Sequence, residues 1–189
     1  MLAFKGYERE RALAYARRYA LSRNPLFYDF AQLGGDCTSF VSQCVLAGCC
    51  VMNFTPDFGW YYRTPEDRAP AFTGVEEFWQ FMTGAPAFLA ENGGIGPFGE
   101  ATEASRLELG DVIQLGNGEG EYYHTLLLTG RREGELLVSA HTRDALDRPL
   151  SSYEAPRVRF LHLIGARFPV EDAACFEALL EGRALPSLP

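Results

Sequence analysis

The fold is decided by residues 34–48, GGDCTSFVSQCVLAG, where a glycine turn leads into a helix that begins with a cysteine. Gly34 and Gly35 permit a tight turn, Asp36 is a suitable N-cap, and Gly48 is a suitable stop. The apolar residues between them share one face of the predicted helix: Cys37, Phe40, Val41, Cys44 and Val45. The stretch therefore predicts a helix that carries a thiol in its first turn.

The segments on either side indicate the fold class. Residues 8–20 place Ala12, Tyr15, Ala16 and Tyr19 on one face of an amphipathic helix. From residue 107 onward the pattern changes to strands, DVIQL (111–115), YYHTLLLT (122–129), ELLVSAH (135–141) and RVRFLHLIGARF (157–168). Helices first and strands second predict an α+β domain whose N-terminal helices pack on an antiparallel sheet.

The remaining segments are less regular. Residues 49–106 are predicted to be an insertion over the core, with a short helix around residues 78–81 and a loop at residues 91–100, ENGGIGPFGE. A last short helix is expected near residues 171–181. We expect residues 1–189 to form a single domain, with its core in residues 7–168 and a C-terminal helix and tail in residues 169–189.

Composition narrows the classes of function. A formal net charge of -8 argues against nucleic acid as a partner, and no apolar run is long enough for a membrane span. Charges from Lys5 through Arg18 interrupt any secretory signal, so the chain as written is expected in the cytoplasm, although an extracytoplasmic role stays open. Five cysteines, an odd number, fit reduced thiols. The oligomeric state stays open.

Cys37 is the candidate nucleophile. A thiol reacts as the thiolate, which the positive end of a helix stabilises, but the neighbouring Asp36 carboxylate opposes it. Cys37 therefore needs a cationic partner. The chain holds three histidines. His124 is the candidate for this partner, and it shares a strand face with Leu126 and Leu128.

His141 is the candidate for orienting that partner. A hairpin with a four-residue loop at residues 131–134 would pair positions whose numbers add to 265, placing His124 directly across from His141. A slip of one residue would put them on opposite faces. A thiol, a base and an orienting group are the parts of covalent acyl transfer, in which His124 exchanges protons with the thiol and the leaving amine.

Together, DCTSFVSQC, GWYY, LGDVIQL, HTLLLTG and SAHT resemble the putative amidase domain family, a relative of the NlpC/P60 and CHAP cysteine peptidases. The resemblance spans the chain from the first helix to about residue 165. It implies a papain-like α+β fold and hydrolysis of peptide-like amides, with cell-wall-type peptides among the candidates. It also implies Cys37 as nucleophile, His124 as base and His141 in the place of a third polar residue, for which Asp144 is the alternative.

Several alternatives stay open beside this interpretation. A silent binding module or an acyltransferase could use the same fold and site. The backbone N–H of Cys37 is one expected oxyanion donor, and Tyr28 and Gln32 are candidates for the second. Residues 60–62 could line a groove or lie in the core. His162 is expected on the core face, in a structural role. No cofactor is expected, and no metal either, because Cys44, Cys49 and Cys50 lack the spacing typical of zinc ligands.

Overall fold

The computed structural model describes residues 2–169 and 175–184. The helices are α1 (Arg9–Tyr19), α2 (Cys37–Cys49), α3 (Pro70–Thr73), α4 (Val75–Thr83), α5 (Pro86–Asn92) and α6 (Cys175–Glu181). The strands are β1 (Ala3–Gly6), β2 (Gly96–Thr102), β3 (Val112–Gly116), β4 (Tyr122–Arg132), β5 (Glu135–Ala140), β6 (Ala145–Pro149) and β7 (Arg157–Phe168). Three short 3-10 turns cover Phe30–Gln32, Ala104–Arg106 and Leu150–Ser152.

The described strands form one curled antiparallel sheet. Its order is β1-β7-β3-β4-β5-β6, and β2 also pairs with β7. Helix α2 packs on β4 and α1 packs on α2, so the thiol-bearing helix lies between the first helix and the centre of the sheet. The predicted α+β class, with N-terminal helices against an antiparallel sheet, is confirmed.

Both faces of the sheet are covered by apolar residues. The larger cluster joins the helices to one face and includes Leu127, Leu161 and Leu163. A smaller cluster on the other face includes Leu126 and Leu128. Alternate residues of β4 therefore enter different clusters, and the strand has almost no solvent face along its middle.

Residues 49–106 differ from the prediction. Helix α4 confirms the short helix expected around residues 78–81. The segment is not an insertion over the core, however, because Trp60, Phe72 and Phe78 are fully buried within the larger cluster. The predicted loop at residues 91–100 contains the start of β2, where Gly99 lies so close to His162 O that a Cβ would come within 2.3 Å. Pairing with β7 overrides the local turn propensity of this stretch.

The hairpin between β4 and β5 differs in register from the prediction. Its turn is the two residues Glu133 and Gly134, both with positive φ (51° and 85°), and not a four-residue loop. A bulge at Thr129 then shifts the register once more, so that Leu127 opposes Ser139. The predicted opposition of the two histidines across this hairpin is therefore wrong.

The phase of β7 also differs from the prediction. Leu161 and Leu163 are buried, whereas His162 is partly exposed and Ile164 is 36% exposed. Leu161 and Leu163 occupy the core face on which His162 was expected. Part of the helix expected at residues 171–181 is α6, and residues 170–174 lie outside the described part of the chain.

No helix within residues 2–169 and 175–184 has the length and apolar character that crossing a membrane requires.

Candidate active site

The turn before α2 places Cys37 at the edge of a cleft. Gly34 and Gly35 adopt φ of 102° and 121°, a region that favours glycine, and both line the cleft. The Asp36 N–H donates to Thr142 Oγ1 at 2.7 Å, which ties the turn to the residues after β5. Cys37 follows as the first helical residue and lines the cleft with 7% of its surface exposed.

Asp36 occupies the predicted N-cap position, but its carboxylate does not cap the helix. One carboxylate oxygen lies 2.7 Å from His141 Nδ1 and 3.3 Å from Arg23 Nε, and the other accepts from the Phe30 N–H at 3.3 Å. The side chain is almost fully buried. These partners balance much of the negative charge that the sequence alone sets against a thiolate at the next residue.

His141 holds this turn from the other side. Its Nε2 donates to Tyr19 O at 2.8 Å, and its ring stacks on Phe40 with 4.1 Å between centroids. Because a carbonyl oxygen only accepts, Nε2 carries a proton, and a further proton lies between Nδ1 and the Asp36 carboxylate. Both ring nitrogens are occupied, so His141 does not orient His124 through a hydrogen bond.

Asp144, the alternative orienting residue, is engaged elsewhere as well. Its two carboxylate oxygens accept from the Arg23 guanidinium at 2.9 and 3.0 Å. The structure therefore connects Asp144 to the Asp36 cluster and not to His124.

His124 lies in β4 and lines the same cleft as Cys37. Its side chain lies on the predicted face, beside the smaller apolar cluster, and its ring centroid is 5.9 Å from that of Tyr153. Burial, and to a smaller extent the positive charge of Arg148, together lower the pKa of His124 to about 4. Near neutral pH the imidazole is therefore uncharged and able to accept a proton.

The thiol of Cys37 is also in its neutral form at rest. Burial raises the pKa of Cys37, and the Thr125 backbone N–H and the Thr38 hydroxyl, both hydrogen-bonded to the sulfur, oppose that rise. Asp36 adds to the rise. A neutral thiol and a neutral imidazole therefore share the cleft, which is the protonation state expected of a nucleophile and its base before proton transfer.

A chain of buried hydrogen bonds ends at this sulfur. Arg159 Nε donates to Gln114 Oε1 at 2.8 Å, so the Gln114 Nε2 group is the donor side of the amide. Nε2 donates to Thr125 Oγ1 at 3.2 Å, and that oxygen is 2.8 Å from Thr38 Oγ1. The Thr125 hydroxyl can therefore donate its proton to Thr38 Oγ1. The Thr38 hydroxyl can then donate to Cys37 Sγ at 3.9 Å. Each hydrogen bond in this chain is therefore donated in the direction of the sulfur.

The cleft has a volume of about 480 Å³. It is lined by Gly34, Gly35, Cys37, Leu115, Tyr123, His124, Thr142, Arg143, Arg148, Ser152, Tyr153 and Glu154. Tyr28 and Gln32, the candidates for a second oxyanion donor, are absent from this lining. Residues 60–62 lie in the larger apolar cluster, so the interpretation of these aromatics as core is confirmed.

His162 belongs to a separate polar cluster. Its Nδ1 lies 2.9 Å from the buried Asp111 carboxylate, which also binds Arg9 at 2.7 Å and accepts from the Leu163 N–H at 2.9 Å. Asp111 thereby links α1, the start of β3 and β7. None of these residues lines the cleft.

Sequence reasoning missed several residues of the site. Gln114 had a detectable signal, since a polar residue in the apolar strand DVIQL is unusual and needs buried partners. Thr38 and Thr125 adjoin Cys37 and His124 in the chain and could have been considered with them. Arg148 and Tyr153 had no such signal, because only the return of the chain after β5 brings them to the cleft.

Comparisons with known proteins identify related sequences. The chain is 28% identical over 169 residues to "Uncharacterized protein YhbB" of Bacillus subtilis (strain 168), covering 84% of this chain and 50% of that protein. It is 30% identical over 156 residues to "Uncharacterized protein YjcM" of the same strain, covering 77% of this chain and 33% of that protein. The chain thus spans half or less of these curated relatives.

No solved structure matches the chain at a significant level. The sequence profile described as "Putative amidase domain" matches residues 6–164, which include both α2 and the strands that line the cleft. On that match over most of its length, the chain belongs to the putative amidase domain family.

Proposed function

We propose that the protein is a cysteine-dependent amide hydrolase that acts on peptide-like amides, with Cys37 as nucleophile and His124 as base. Family membership indicates amide hydrolysis in general. The observation that carries the cysteine mechanism is the shared cleft, where the thiol in the first turn of α2 and the uncharged imidazole of β4 lie together.

The proposed reaction has two halves. His124 takes the thiol proton as Cys37 Sγ attacks the amide carbon, and the N–H of Cys37, free of helical partners in the first turn, donates to the oxyanion. The carbon–nitrogen bond breaks as His124 returns the proton to the leaving amine, which leaves a thioester. Water, deprotonated by His124, then attacks the thioester and releases the carboxylic acid and the thiol.

His141 has a positioning role in this proposal. Through Asp36 it holds the turn that sets the direction of α2, and through Tyr19 it ties that turn to the end of α1. It acts on the reaction through the placement of Cys37 and not through His124.

The proposal includes a papain-like arrangement related to the NlpC/P60 and CHAP peptidases, in a single domain. A helix that begins with the nucleophile and packs on an antiparallel sheet carrying the base supports it. Peptide amides of the cell-wall type belong to the proposed substrate class.

The test is capture of the acyl-enzyme. The protein is mixed with a peptide-amide library, quenched in acid and analysed by intact mass and peptide mapping. We expect acylation at Cys37, and no turnover in Cys37→Ser or His124→Asn variants. Cys49→Ala, which changes a buried thiol at the far end of the same helix, is the matched control and keeps turnover.

Other results would redirect the assignment. Acyl transfer to an added amine in preference to water would make the protein an acyltransferase. Ligand retention without turnover in the parent, undiminished in Cys37→Ala, would make it a binding module. Acylation at another residue would contradict the role of Cys37.

A further inference from the structure

The charged lining of the cleft is positive in a strongly acidic chain. Its charged residues, apart from the uncharged His124, are Arg143, Arg148 and Glu154. Within residues 2–169 and 175–184 neither arginine forms an ion pair, whereas the chain as a whole carries a formal net charge of -8. A cleft lined by two arginines and one carboxylate has a local excess of positive charge, which favours an anion there.

Arg148 is held in place by neutral groups. Its Nε donates to Ser152 Oγ at 2.7 Å and its Nη2 donates to Ser152 O at 3.2 Å, while the guanidinium lies over the Tyr153 ring at 4.2 Å. These contacts, with the poorly aligned hydrogen bond to the Tyr153 hydroxyl, fix the guanidinium and leave some of its five N–H groups unused. The remaining donors are available for a planar, bidentate acceptor such as a carboxylate.

The proton of the Tyr153 hydroxyl lacks an acceptor. The oxygen is buried, and no hydrogen bond of good geometry reaches it from the described residues. Burial raises the pKa of Tyr153, while the charge of Arg148 and a poorly aligned hydrogen bond from its guanidinium oppose that rise. A guanidinium only donates, so a ligand oxygen beside Arg148 would supply the acceptor that the hydroxyl proton needs.

Both groups lie next to the reacting side chains. The Tyr153 ring is 5.9 Å from the His124 ring, and Tyr153, Arg148, His124 and Cys37 all line the one cleft. An anion bound to Arg148 would thus sit beside an amide presented to the sulfur.

We infer that the cleft selects ligands with a carboxylate near the reacting carbon, bound by the Arg148 fork and the Tyr153 hydroxyl. Resting on the proposed function, this names the substrates as amides of acidic residues or amides close to a free carboxylate. The anion preference itself does not depend on amide turnover.

Two nearly isosteric probes test the preference, iodoacetate and iodoacetamide. With either, Cys37 Sγ forms a bond to the methylene carbon as the carbon–iodine bond breaks and iodide leaves. The ratio of their rate constants at Cys37, followed by peptide mapping at pH 9 and low salt, is compared with the ratio for N-acetylcysteine amide. The variants are Arg148→Gln, Arg148→Lys and Tyr153→Phe, with Arg132→Gln as a control of equal charge change on the exposed β4–β5 hairpin.

We expect the ratio in the parent protein to exceed the reference about tenfold, as one nearby charge in a partly exposed site would give. Arg148→Gln should return it to the reference, Arg148→Lys should keep part of it, Tyr153→Phe should lower it, and Arg132→Gln should leave it unchanged. Added salt should reduce it.

A parent ratio no higher than the reference, or a high ratio that survives Arg148→Gln, overturns the inference. So does an equal loss in Arg132→Gln, which would show only a general effect of charge. Saturation-transfer NMR with glutarate and glutaramide makes the same comparison without reaction at sulfur, and equal signals would also overturn it. Because neither measurement needs hydrolysis, failure of the hydrolase assignment and failure of the anion preference are separate results.

Discussion

At the scale of single residues, the site is defined by two groups that burial keeps uncharged. Burial raises the pKa of Cys37 and lowers that of His124 to about 4. Each shift favours the neutral form, because a charge in the cleft wall loses hydration. The resting pair therefore differs from the thiolate and imidazolium expected when a helix terminus and a cation act together.

The first prediction concerns alkylation of Cys37. Its iodoacetamide rate should rise through the alkaline range with a midpoint above that of N-acetylcysteine amide, because burial disfavours the thiolate. Peptide mapping should place the label on Cys37 before Cys44 or Cys49, which are more deeply buried and do not line the cleft. A rate that stays level down to pH 5 would instead reveal a preformed ion pair.

The second prediction concerns stability and the protonation of His124. The folded pKa of about 4 lies below the ordinary value of 6.5, so between these values the unfolded chain binds more protons. This contribution to stability is complete above pH 6.5 and is lost as the pH falls toward 4. Between pH 7.5 and pH 5 it amounts to about 2 kcal/mol. In urea unfolding, the loss of stability between pH 7.5 and pH 5 should be smaller in His124→Gln than in the parent protein by that amount. Equal losses in the two proteins would contradict the lowered pKa of His124.

At the scale of elements, two hydrogen-bonded groups hold α2 to the sheet. Thr38 and Thr125 join the first turn of the helix to β4, and Gln114 extends the connection to β3. Asp36 and His141 join the turn before the helix to the end of β5. The position of Cys37 is therefore set by both neighbouring strands.

The third prediction concerns the Thr38 hydroxyl. In Thr38→Val the sulfur loses a donor, so the alkylation midpoint of Cys37 should rise by about 0.5–1 pH unit, the effect of one hydrogen bond of ordinary net strength, about 0.5–1.5 kcal/mol. Thr129→Val is the control, since Thr129 has similar buried bonds to Ser139 and Asp147 away from the cleft. It should lower stability without moving the midpoint. Equal shifts in both variants would argue against the donor chain.

The fourth prediction concerns the buried pair of Asp36 and His141. Either Asp36→Ala or His141→Ala should cost about 3–5 kcal/mol of unfolding free energy, because each leaves a buried partner uncompensated. The double variant should cost clearly less than the sum of the two. Chemical denaturation of the four proteins measures this, and additive losses would show that the two side chains act separately.

At the scale of the whole molecule, the sheet is buried on both sides by clusters of unequal size. The helices cover one face, and the chain around residues 107–109 and 150–155 covers the other. The cleft opens where this second layer meets the start of α2, so both layers contribute to its lining.

The fifth prediction tests this two-sided burial. Leu126 and Leu127 are adjacent in β4, fully buried, and belong to different clusters. Replacement of either by Ala should cost about 2–5 kcal/mol in urea unfolding. A loss of unfolding free energy below 1 kcal/mol for Leu126→Ala would show that the second layer is poorly packed.

Local sequence patterns determined the elements that carry the candidate nucleophile and base. Glycines with a following apolar stripe predict α2 and place Cys37 in its first turn, and alternation predicts β4 with His124 on the face of Leu126. These follow from the periods of the helix and the strand, which the chain encodes over a few residues. Family motifs added the general activity.

Tertiary structure decided how these elements meet. The left-handed Glu133 and the bulge at Thr129 shift the hairpin register, which turns His141 toward Asp36 and Phe40. Side-chain period in a strand is two, so one residue of slip exchanges the faces, and no short pattern encodes that slip. The approach of Arg148 to His124 likewise depends on contacts between segments far apart in sequence, whose energies the whole fold determines.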